Sequence, residues 1–138
     1  MLNKIEKQIM IRTSFRGTHN WPEASQYAGD EVQFLEDRHR HTFHILAELT
    51  VSDSDREVEF FVFQNQVDLA IRSLYSSYRE DELVYNLGRR SCETMAEEII
   101  SQLRNVNGHR HTIKIEVWED NEVGGRVTSF KERDFDPE

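Results

Sequence analysis

Arg38-His39-Arg40-His41-Thr42-Phe43-His44-Ile45 runs straight into the alternation Ala47, Leu49, Val51, and this stretch decides how the rest of the chain is arranged. Successive side chains of a strand point to opposite faces. His39 and His41 therefore share a face with Phe43, Ile45, Ala47, Leu49 and Val51, while His44 falls on the other. Two imidazoles side by side on one strand face are a natural pair of metal ligands, and a third ligand has to come from another element.

Upstream, Ile9, Ile11, Thr13 and Phe15 alternate with Met10, Arg12, Ser14 and Arg16, which predicts a first strand. Gly17, Asn20 and Pro22 break the pattern. Residues 20–37 then read as a long irregular connection, of the kind that is more often functional than idle. Downstream, Ser52–Asp55 is a turn, and Val58–Phe63 reads as a short strand leading into a helix. From Val67 the period becomes helical through Ala70, Ile71, Leu74, Tyr75 and Tyr78. A polar break at Arg79–Glu82 precedes Leu83–Arg90, which has no clear period.

Ser91 can cap a second helix, with Glu93 favourable in its first turn and Met95, Ala96, Ile99 and Leu103 as its apolar stripe. Asn105–Gly108 end that helix. His111, Ile113, Ile115, Val117 and Glu119 share one face of a third long strand. Asn121–Gly125 make a turn, Arg126–Phe130 is the return strand, and residues 131–138 form a charged tail expected to fray. Two strands, two helices and two strands give an α+β layout, with both helices on one face of an antiparallel sheet. Its 138 residues fit a single domain, 1–138.

Composition excludes several classes. With 37% hydrophobic and 31% charged residues, the chain is too apolar to be disordered. No apolar run is long enough to cross a bilayer, and the first residues lack the apolar stretch of a signal peptide. A lone cysteine, Cys92, cannot form an intrachain disulfide, so a reducing cytoplasm is the expected location. The formal net charge of −9 argues against a nucleic-acid surface but leaves room for a small arginine-lined anion pocket.

Four local patterns, in this order, resemble the 6-pyruvoyl and 6-carboxy tetrahydropterin synthase family. Phe15-Arg16-Gly17-Thr18-His19 resembles the family's Phe-x-Ala-x-His, and His39-Arg40-His41-Thr42-Phe43 its His-Gly-His-Asn-Tyr. Ser91-Cys92-Glu93-Thr94-Met95-Ala96 resembles its Thr-Ser-Glu-Asn-Leu-Ala, and Val117-Trp118-Glu119-Asp120 its late Val-Trp-Glu-Thr. The resemblance implies the tunnelling fold (ββααββ) and zinc held by His19, His39 and His41. It implies a pterin-, purine- or nucleotide-like ligand at a subunit interface, anchored by Glu119. It also implies a homo-oligomer, a trimer of sheets stacked into a hexamer, whose sheets join into a barrel.

Glu119 has a chemical logic of its own, since a carboxylate accepts two parallel N–H bonds from the edge of a pterin or guanine. Ser91, Cys92 and Glu93 lie at the same helix start, and Arg89 and Arg90, just before it, suit an anionic group such as phosphate. With no base nearby in sequence, packing is the expected role of Cys92. His109-Arg110-His111-Thr112 repeats the wording of residues 39–42, but no third ligand accompanies it and a solvated strand start is expected.

The departures from the family are chemical. Its catalytic cysteine falls at Leu35, its Asp-His dyad is absent because no histidine occurs from Ile45 to Gly108, and its inter-histidine glycine is Arg40. The pattern is similar to small divergent members encoded in phage genomes. These points favour a zinc-containing binding protein, for example one sequestering a nucleotide signal. The alternative is a divergent synthase, a lyase recruiting Glu36, Asp37 or His44 as acid and base.

Overall fold

The computed structural model describes residues 5–81 and 83–132. The first strand, β1 (Lys7–His19), pairs antiparallel with β2 (His39–Val51) in an unbroken register from Lys7↔Val51 to His19↔His39. The alternation predicts a strand that stops near Arg16. Pairing carries it three residues further, and this extension sets His19 directly opposite His39. The connection between them is less irregular than expected, holding a short helix α1 (Ala24–Ala28) and a 3-10 segment (Asp30–Glu36).

β2 supplies the spine of the core, with Phe43, Ile45, Ala47, Leu49 and Val51 buried. Two helices cover that face. In α2 (Phe60–Tyr75), Phe63, Val67, Ala70, Ile71 and Tyr75 face inward at helical spacing. The reading of Val58–Phe63 as a short strand is corrected: Glu59 is the N-cap, accepting the Val62 N–H at 2.9 Å, and Phe60 is already helical. Phe60, Phe61 and Val62 mislead because they are strand-forming types that lie exposed in the first turn.

Between the helices, the expected polar break holds a three-residue strand, β3 (Arg79–Asp81), and the aperiodic stretch a second, β4 (Val84–Asn86). β4 runs parallel to β1, from Arg16↔Val84 to Thr18↔Asn86. Strands this short show no period in sequence. Just past β4, the fully buried Leu87 explains Gly17: a Cβ there would stand 2.5 Å from Leu87 Cδ1 and 3.2 Å from the Phe43 ring.

Ser91 caps α3 (Cys92–Asn107) as expected, its hydroxyl accepting the Thr94 N–H at 3.1 Å, and Met95, Ala96, Ile99 and Leu103 are fully buried. β5 (Ile113–Glu119) then pairs antiparallel with β2, placing Glu119 beside Phe43. β6 (Val123–Ser129) returns along it, three residues earlier than the predicted return strand. The sheet among the described residues is therefore six-stranded and mixed, in the order β3-β4-β1-β2-β5-β6. The expected frayed tail lies, from residue 133 on, outside the described residues.

Candidate metal centre and adjoining cleft

The strand register places the three histidines. His19 ends β1 opposite His39, and His41 sits one same-face step along β2, across from Gly17. Their rings form a tight triangle, with centroid separations of 4.6, 4.8 and 5.3 Å. One nitrogen from each lies within 4.8 Å of the others.

Each Nδ1 faces an oxygen acceptor: the Arg90 carbonyl at 2.8 Å for His19, the Asp37 carbonyl at 2.8 Å for His39 and the Asp120 carboxylate at 2.6 Å for His41. An acceptor at Nδ1 requires the proton there, which leaves the Nε2 lone pair available in the neutral ring. The Nε2 atoms of His39 and His41 are buried and have no hydrogen-bond partner. Buried lone pairs without a donor are costly in a protein, and a cation would satisfy both of these while drawing in the neighbouring His19 Nε2. The donor set therefore fits zinc, with backbone and carboxylate groups orienting the ligands from behind.

Glu119 closes the triangle from β5. Its Oε1 lies 3.3 Å from His19 Nε2 and its Oε2 lies 3.4 Å from His41 Nε2. The hydrogen bond from His19 holds its carboxyl below the usual carboxylate range, overriding the effect of burial. Burial alone would lower the His19 pKa, but the Glu119 contact and the Arg90 carbonyl outweigh it and raise the value. Asp120 is likewise held low, first by His41 and then by the Thr42 N–H.

A 460 Å³ cleft opens beside Glu119 and is bordered by all the ligand residues the sequence predicts: Arg89, Arg90, Ser91, Cys92, Glu93 and Glu119. They are not equally free. The Arg90 guanidinium is held by Glu98 at 2.9 Å and lies over the Tyr75 and Tyr78 rings, so its part in the site is the carbonyl that orients His19. Arg89 is exposed and paired with Glu23. The Ser91 hydroxyl is engaged at the helix start. Cys92 is buried with its Sγ 3.8 Å from Glu119 Oε1, and desolvation together with Glu119 and Glu93 pushes the thiol up to about 12. Glu93 packs against Gly125, where a Cβ would stand 2.8 Å from its Oε1.

Leu35, at the resemblance's cysteine position, lines the cleft with an aliphatic side chain. Two of the three proposed substitute acids and bases, Glu36 and His44, are engaged or face elsewhere. Glu36 accepts from both the amide and hydroxyl of Ser25, Asp37 meets His39 through its carbonyl, and His44 lines a separate cleft with Arg12 and Trp118 on the opposite sheet face. His109 and His111 do not converge: His111 Nδ1 contacts the Thr50 carbonyl and His109 lies near Glu132.

Asp120 and Trp21, another wall of the cleft, were missed by sequence reasoning. Strand parity assigns Asp120 to the face away from the histidines. Only the left-handed backbone at Asp120 and Asn121, φ 52 and 60, turns it back.

No family model matches the chain, and no curated protein does. Solved structures do match. The 6-pyruvoyl tetrahydropterin synthase of Plasmodium falciparum is 17% identical at a TM-score of 0.63, covering 91% of this chain and 98% of its own. That of Caenorhabditis elegans is 9% identical at 0.61, covering 94% and 99%. An uncharacterized protein from Wolinella succinogenes is 12% identical at 0.59, covering 90% and 98%. The chain is an α+β protein with a histidine-triad site at one end of the two central strands of its sheet. Its fold is the tunnelling fold of the 6-pyruvoyl tetrahydropterin synthases, carried by a divergent sequence.

Proposed function

We propose that the chain is a zinc-containing small-molecule-binding protein, a single-domain subunit that holds a pterin-, purine- or nucleotide-like ligand beside the metal. The observation that carries this is the convergence of three imidazoles, with the buried Nε2 atoms of His39 and His41 making no hydrogen bond. Those three residues would hold the ion, which supplies an open Lewis-acid position when bound. Glu119 and Glu93 offer acceptors to the N–H edge of a heterocycle, Trp21 and Leu35 offer apolar walls, and Arg89 meets an anionic group.

Binding is favoured over turnover by what surrounds the triad. Leu35 has no proton to transfer, Cys92 stays a thiol at neutral pH, and Glu36 and His44 are engaged or face elsewhere. Sequestering a nucleotide signal is one use of such a site. The test is to incubate purified protein with dihydroneopterin triphosphate and to identify co-purifying heterocycles by mass spectrometry. Ligand retained without turnover is expected, with binding lost in Glu119→Gln. Turnover that disappears in His41→Ala would instead make the protein a lyase.

A further inference from the structure

His19 and His39 are held at Nδ1 by backbone carbonyls, whereas His41 is held by a side chain. That side chain, Asp120, is itself fixed. Its Oδ1 accepts the Thr42 N–H at 2.9 Å, and its own N–H donates to the Thr42 carbonyl at 2.8 Å. With the carboxylate clasped to the residue after His41, its second oxygen has one direction left, toward the ring at 2.6 Å. The arrangement depends on a left-handed residue that is not glycine, at φ 52, a conformation with a cost.

We propose that Asp120 is a positioning residue for metal binding. Accepting the His41 Nδ1–H fixes the tautomer, sets the ring plane so that Nε2 faces His19 and His39, and makes that nitrogen a stronger donor. The inference rests on the zinc reading and deepens it: the affinity of the site depends on a residue that touches neither metal nor ligand. Where the resemblance has threonine after the anchoring glutamate, this chain has the carboxylate that performs this task.

The experiment is a competition of the full chain against a chromogenic chelator for zinc, with thermal unfolding of the metal-free protein measured in parallel. Asp120→Asn keeps an oxygen for the Thr42 N–H but turns an NH₂ toward His41 Nδ1, favouring the tautomer that hides Nε2. Zinc binding about 10–100-fold weaker is expected, with the metal-free melting temperature lowered only slightly and an altered visible spectrum when cobalt(II) replaces zinc. Asp120→Glu, which restores a carboxylate, should recover part of the affinity. Equal zinc affinity in wild type and Asp120→Asn overturns the positioning role while leaving the metal reading intact. An affinity loss matched by lost metal-free stability assigns Asp120 to the fold instead. A wild type that takes up no zinc overturns both.

Discussion

Cys92 occupies the first turn of α3, where a helix N-terminus ordinarily favours a thiolate, yet desolvation and the Glu119 and Glu93 carboxylates push it up to about 12. Its reaction with a disulfide reagent near pH 8 should be roughly a hundredfold or more slower in the native protein than in denaturant. Equal rates would contradict its placement. The His19–Glu119 pair sets a pH dependence of its own. In the metal-free protein, Glu119 contributes stability above its unfolded pKa that is lost as pH falls through its depressed folded value. His19 contributes stability that is fully present below its unfolded pKa and lost as pH rises through its raised folded value. The pair thus favours the metal-free fold in mildly acid solution, whereas zinc needs neutral imidazole. Apparent zinc affinity should climb between about pH 6 and 8, and a flat profile from chelator competition would count against the assignment. His39 and His41 were legible at this scale because strand spacing fixes which face a histidine takes, whereas His19, beyond the predicted end of β1, came only from the resemblance. Asp120 was not legible, because a left-handed turn reverses the parity on which that reasoning depends.

The long elements were readable and the short ones were not. Thirteen residues of β2 alternate visibly, and Ser91 announces α3. Three residues of β4 carry no period, and the exposed aromatic start of α2 imitates a strand. That hidden β4 segment has a consequence at Gly17. The resemblance has alanine at this position, but here Leu87 fills the space against Phe43. Gly17→Ala should lower stability by about 1–3 kcal/mol, since a buried side chain must move off its rotamer. Because Gly17 lies across from His41, zinc affinity should fall with it. An unchanged denaturation midpoint would contradict this packing.

At the scale of the whole molecule, the sheet ends on β6, which pairs with β5 on one side and with no described strand on the other. Open edges invite pairing with another chain, and the assembly we propose is the one the resemblance implies, a trimer of sheets stacked into a hexamer. Light scattering coupled to size-exclusion chromatography should give one of those masses at micromolar concentration, and a monomer would contradict the assembly. No helix among the described residues is long and apolar enough to cross a membrane. The central claim, that His19, His39 and His41 exist to hold a metal, is tested most directly by elemental analysis of protein dialysed after exposure to zinc. The account predicts one zinc per chain in the wild type, lost in His39→Ala and His41→Ala while the fold is retained. A folded wild type that holds no zinc would contradict it.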